Sequence, residues 1–132
     1  MIHTKDIRNK IEWGLRIILA VVFISRAIPA FMGEQEWIGL FTNVGIASDL
    51  ARMLLILIGI SDTLIAILLL VKPIRAIIVW AIIWPIVPAI GTYLSGSSLE
   101  FVLIHYGSLV VATVFLLYLR GFPRNVGQLL SV

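Results

Sequence analysis

Three ionisable side chains stand inside otherwise apolar stretches of this chain: Arg26, Asp62 and His105. Residues 54–71 read LLILIGISDTLIAILLLV, with Asp62 near the middle as their only charge. A carboxylate halfway across hydrocarbon costs about 3 kcal/mol or more on insertion scales, unless it meets a partner or a wet cavity. Residues 17–33 hold one charge, Arg26. The planar donors of a guanidinium match a carboxylate two at a time, so Arg26 and Asp62 are expected to pair at mid-membrane. Such a pair has two uses. It can pin two helices in register. It can also line a pocket in which Arg26 holds a carbonyl oxygen while Asp62, with His105, passes a proton.

Other polar groups gather around this trio. Ser25, Ser61 and Thr63 adjoin the charged pair in sequence. Gly59 and Ala66 flank Asp62 on one helical face, leaving that face small enough to admit something close. Thr92 and Tyr93 sit at the outer end of the third apolar run, and His105 lies about one turn into the fourth. Trp80 and Trp84 share a face at i, i+4; packing or lipid contact is the commoner use of such a pair, and a stacking platform for a ring the rarer one. Arg26, Trp84, Thr92 and Tyr93 form the candidate ligand-binding set. Intramembrane polarity thus collects in the middle and outer half, and the inner half reads as almost purely apolar. A pocket open to the outer leaflet or outer water is the expectation.

Several chemistries are excluded. The chain has no cysteine, which removes thiol redox chemistry, iron–sulfur clusters and thiolate metal sites as intrinsic activities. No zinc motif, Walker motif, serine elbow or glycine-rich phosphate loop is present. A haem held by two histidines is not expected, because the second histidine, His3, falls at the opposite face. The net charge of +3 is no nucleic-acid signal, since the basic residues sit where membrane topology explains them.

The elements that must position these residues are apolar helices. The chain is 132 residues, 61% hydrophobic and 13% charged, with mean hydropathy +1.10. Four runs approach or exceed the roughly 20 residues a membrane helix needs: 13–33, 53–71, 76–94 and 101–119. Little is left over, so residues 1–132 read as one all-α domain, an integral membrane four-helix bundle. The first run has a basic start and small residues near Ala27 and Ala30, as a cleaved signal has, but Arg26 inside it favours a retained helix. Pro29 should kink it just past Arg26. Residues 34–52 interleave acids with apolar groups and suggest a short amphipathic helix on the surface between the first two spans, or a partly re-entrant segment, with a plain solvated loop as the alternative. In the third run Ala81, Pro85, Pro88 and Thr92 make one stripe that should face other helices.

Charge sets the orientation. Lys5, Arg8, Lys10, Arg16, Lys72, Arg75, Arg120 and Arg124 fall at one side of a four-span chain, and only Arg52 falls at the other, among Glu34, Glu36, Asp49 and Glu100. The positive-inside rule then puts both termini in the cytoplasm, which four spans satisfy. From entry at Trp13, Arg26 lies roughly 20 Å up at about 1.5 Å per residue. Asp62 lies roughly 16 Å up across a core of about 30 Å. The difference is within reach of an arginine side chain.

Two stretches resemble the DoxX-like family of small four-helix membrane proteins. Residues 16–33, RIILAVVFISRAIPAFMG, resemble the family's first span: an Arg-led apolar helix ending in a polar residue, a short kinked segment and a glycine. Residues 45–80 resemble its next block, a glycine-containing loop, a span with a central acid that is usually glutamate, a turn with arginine and a third helix. Here Asp62 stands at the acid position and Arg75 in the turn. The family often has histidine near Arg26 and lysine near Ala30, and this chain has neither. The resemblance implies a bacterial or archaeal cytoplasmic (inner) membrane and association with respiratory or sulfur redox chemistry, a quinol-linked thiosulfate oxidation subunit being one member type. The expectation is a redox-associated, quinone-linked subunit, with a quinone as cofactor, lipid and a redox protein as partners, and a homo-oligomer as a possible assembly. Whether the chain is itself an enzyme stays open. Two other classes fit the residues. One is a small proton-coupled or multidrug-type transporter, although there the acid is expected on the first span. The other is a structural assembly subunit in which the ion pair is a staple.

Overall fold

The computed structural model describes residues 4–132, in which every regular element is helical. In chain order these are α1 (Thr4–Met32), α2 (Gln35–Thr42), α3 (Ser48–Val71), α4 (Arg75–Ile83), α5 (Ile86–Leu94), α6 (Leu99–Val102), a π-helical turn (Leu103–Gly107), α7 (Ser108–Arg120) and α8 (Val126–Leu129). Four segments are long and apolar enough to cross a membrane: Thr4–Met32, Ser48–Val71, Arg75–Leu94 and Leu99–Arg120. They contain the four runs read from hydropathy almost entirely. The polar stretch ahead of Trp13 continues α1 rather than preceding it.

The bundle packs α1 along α3 and α4 along α7, with α1 also touching α7. Its larger core joins Leu19, Phe23, Ile65, Leu69, Ile78 and Leu116, and Ala20, Ala66 and Ala81 let the axes approach between them. A smaller core of Ala30, Ile38, Ala51 and Leu55 lies at the end distal to the termini, where α2 folds back over α1 and α3. Large apolar side chains such as Val21, Leu57, Ile67 and Val111 stay exposed around the outside, as contact with acyl chains requires.

Two irregularities matter for function. The third span breaks at Trp84 and Pro85, between α4 and α5. Pro85 has no N–H for the Ala81 carbonyl and Pro88 none for that of Trp84. The Val87 N–H takes the Trp84 carbonyl instead at 3.3 Å, one residue short of helical spacing. α1 runs through Pro29 without a break, and the two prolines of the third span divide α4 from α5. The fourth span opens with the π turn, a wide turn of a kind often found at functional sites.

The termini meet at one end. The Arg8 guanidinium donates to the Leu119 carbonyl, and Glu12 and Arg120 form an ion pair. Arg75 donates from Nε to the Gly121 carbonyl (2.7 Å) and from its terminal nitrogens to the Arg120 carbonyl (2.6 Å) and the Ser131 hydroxyl (2.7 Å). Gly121, at φ 92°, makes the turn that brings the tail back.

Candidate functional site

Asp62 sits on the buried stripe of α3 between Gly59 and Ala66 and is fully buried. The small face does not admit a ligand. The Phe31 ring of α1 fills the space over Gly59, where an added Cβ would lie 3.0 Å from it, and Ala66 belongs to the core. Phe31 against Gly59 and Arg16 against Leu69 fix the antiparallel register of α1 and α3. Arg26 and Asp62 therefore fall within about a turn of each other.

They do not pair. Among the described residues the ion pair is Glu12–Arg120, and neither Asp62 oxygen accepts a hydrogen bond. Arg26 instead lays its guanidinium over the Tyr106 ring, 4.8 Å from the centroid, a cation–π contact that competes for its head group. Its charge still acts on the Asp62 carboxylate, and the Trp84 indole N–H is turned towards that carboxylate but stops short of a hydrogen bond. Arg26 Nε, Trp84 Nε1 and the Ser61 hydroxyl are also buried without partners. Several buried polar groups in this part of the bundle thus stay unbonded, where such groups are normally satisfied.

A cavity of about 450 Å³ adjoins this cluster, between α2, the distal half of α3, α5 and the start of the fourth span. Trp37, Leu40, Phe41, Ile58, Val87 and Phe101 make its apolar walls and Glu36 stands on its rim. Thr92 and Tyr106 supply its inner polar surface. The Thr92 hydroxyl donates to the Pro88 carbonyl at 2.7 Å and lies 3.2 Å from the Tyr106 hydroxyl. Tyr106 therefore touches the cavity with one face of its environment and Arg26 with the other. α2 is held over the cavity by Ile38 in the distal core and by the Ser95 hydroxyl donating to the Leu40 carbonyl at 2.9 Å. Size and lining are those of a small-molecule site.

The candidates separate cleanly. Arg26, Asp62 and Trp84 converge, and Thr92 joins them through Tyr106. His105 stands apart: its ring is exposed, stacks on Phe101 at 4.0 Å between centroids, and its Nδ1 lies 2.9 Å from the Phe101 carbonyl. Tyr93 is 52% exposed, because neighbouring residues on a helix cannot both face inward and Thr92 does. Tyr106 takes the place expected for His105. It belongs to the inward stripe of Val102, Leu109 and Thr113, which spacing alone could have picked out. His3 lies outside the described residues.

The terminal half of the bundle is more polar than expected. Arg16 is buried and donates from Nε to the Leu69 carbonyl at 2.6 Å and from a terminal nitrogen to the Leu70 carbonyl at 2.5 Å. It also stacks 3.8 Å over the Trp13 ring. It neutralises the C-terminal carbonyls of α3, where a cation is favoured. Comparison of the chain with protein-family models, with curated proteins and with solved structures finds no match.

Proposed function

We propose that this chain is a DoxX-like membrane subunit that binds a quinone-type ring in the cavity beneath α2. The supporting observation is the cavity's design: aromatic and aliphatic walls leading to the Thr92–Tyr106 hydroxyl pair, with Arg26 and Asp62 directly behind. A flat carbonyl-bearing ring fits such walls, and its carbonyl can accept from the Tyr106 hydroxyl when that hydroxyl turns its one proton from the Thr92 oxygen to the ligand. The Arg26 cation over the tyrosine ring polarises that hydroxyl and makes it a better donor. Asp62, the buried carboxylate on which the Arg26 charge acts, exchanges the proton that quinone chemistry requires. Electrons come from a partner protein of the same bilayer. The basic end carrying the termini faces the cytoplasm by the positive-inside rule, and α2 covers the cavity at the outer surface of a bacterial or archaeal cytoplasmic membrane.

Titration of the detergent-purified chain with decylubiquinone, read by quenching of tryptophan fluorescence, tests this. Saturable quenching, weakened about five- to tenfold by Tyr106→Phe, is expected for loss of one buried hydrogen bond. Quenching that does not saturate, or that this variant leaves unchanged, removes the assignment.

One observation favours a second reading. Asp62 is not neutralised by an ion pair with Arg26, so a mid-membrane acid is available to a proton-coupled transporter. Substrate-dependent proton flux in liposomes, lost in Asp62→Asn, would select it. The staple role once open to that pair falls to Arg16, Arg75 and Glu12–Arg120.

A further inference from the structure

At the terminal end, remote from the cavity beneath α2, two further hollows run together between the start of α1 and the end of α7. One, about 540 Å³, is lined by Lys5, Arg8 and Arg120. The other, about 440 Å³, is lined by Ile7, Ile11 and Tyr118. They share Thr4, Arg8 and Leu119, so a polar hollow and an apolar groove lie side by side. We infer that this end binds an anionic phospholipid of the bilayer, its phosphate held by Lys5 and Arg8, its glycerol region beside Ile7, and its acyl chains leading past Ile11 and Tyr118 towards the core. The inference is independent of what occupies the distal cavity.

Charge, depth and shape each support it. Three cations face one acid in the polar hollow, Glu12, and Glu12 is already engaged by Arg120. Arg8 spends one terminal nitrogen on the Leu119 carbonyl and keeps its other donors free among the described residues. The Lys5 ammonium makes no hydrogen bond or ion pair among them. Arg8 stands roughly 8 Å along α1 from Trp13. With Trp13 at the interface, that is headgroup depth, since the headgroup layer is about 5–8 Å thick on each side. The groove opens sideways to acyl chains. Ile7 and Ile11 are nearly half exposed, and Tyr118 continues into an exposed aromatic row with Phe115 and Phe122, at 6.4 and 6.2 Å between centroids. A basic pocket opening onto an apolar groove at a span end suits a lipid headgroup with its tails attached, and suits a free anion less.

Native mass spectrometry of the full chain, released from micelles carrying equal amounts of dioleoylphosphatidylglycerol and dioleoylphosphatidylcholine, tests it. The two lipids differ only in headgroup. The anionic lipid should be retained at least about fivefold over the zwitterionic one, and Lys5→Gln and Arg8→Gln should each reduce that preference about fivefold. Tyr118→Ala should reduce retention of both lipids. Lys10→Gln removes the same charge from an exposed α1 residue outside both hollows and should change nothing. Equal retention of the two lipids overturns the inference. So does an equal effect of Lys10→Gln, which would mean diffuse attraction, or displacement by millimolar inorganic phosphate, which would mean an anion site without tails. If Arg8→Gln loosens α7 by freeing Leu119, Lys5→Gln still decides, because Lys5 bonds no other described residue.

Discussion

At the scale of single residues, the carboxylate of Asp62 carries the greatest tension in the molecule. It is fully buried and neither oxygen is bonded. A group in that state destabilises the fold it sits in. Its presence is intelligible if a ligand or a proton uses it, as reactive groups are often held at a cost to stability. Asp62→Asn keeps the shape and removes the charge. We expect it to raise resistance to thermal unfolding in detergent, by about 1–3 kcal/mol, and to stop proton exchange with the bound ring. A destabilised variant would mean that the carboxylate has a structural partner, and the functional reading of the site would fall with it. Arg16 is the opposite case, a buried charge with its partners in place. Arg16→Met keeps the apolar stem and deletes the donors to Leu69 and Leu70. A loss of about 2–4 kcal/mol is expected, since charged hydrogen bonds at a buried helix end go with it; chemical unfolding in mixed micelles measures it. Arg26, Asp62, Trp84 and Thr92 were legible because polar residues are conspicuous in apolar runs. Tyr106 was not, since an aromatic residue in a membrane span is ordinary. The Arg26–Asp62 pairing was a geometric possibility that the Tyr106 ring took away.

At the scale of elements, the four spans were readable from hydropathy, and their irregularities were not. The prolines of the first and third spans look alike in sequence, yet α1 passes through Pro29 while Pro85 and Pro88 divide α4 from α5. Two prolines three residues apart remove two successive hydrogen bonds on one face, and a single proline removes one. The break follows Trp84, whose indole is turned towards Asp62, and the π turn of the fourth span accompanies Tyr106 facing in and His105 facing out. Rotation of a helix by part of a turn decides which of two neighbours is inside, and hydropathy carries little information about it. Pro85→Ala returns an N–H to the Ala81 carbonyl and should carry α4 on towards α5. We expect analogue binding to weaken severalfold with stability unchanged or raised, because the helix gains a bond while α5, with Thr92, is turned about its axis. Binding at full strength in this variant would show that the break serves packing alone. α2 was foreseen as a surface segment. Its burial of Ile38 and its bond from Ser95 also make it the roof of the cavity.

At the scale of the whole molecule, the two ends are built differently. The terminal end is tied by arginines: Arg8, Arg16 and Arg75 each donate to carbonyls near the end of a neighbouring helix. The distal end has fewer such ties and holds the larger apolar cavity, so one end is braced and the other can open. This polarity has meaning only if the braced end faces the cytoplasm, where basic residues are retained during insertion. The chain has no cysteine, so each introduced thiol reports on its own position. Ser98→Cys and Asn43→Cys, exposed at the distal end, should react with a membrane-impermeant maleimide added to intact cells. Asn9→Cys and Gln128→Cys, exposed at the terminal end, should react only after the cells are opened. The reverse pattern would turn the molecule over, placing the cavity's roof on the cytoplasmic side and the proposed lipid hollow in the opposite leaflet. Labelling of one terminal-end position from outside and the other from inside would contradict more than orientation. Arg8 bonds Leu119 and Arg75 bonds Ser131, so the start of α1 and the tail cannot lie on opposite sides of a bilayer while those bonds exist.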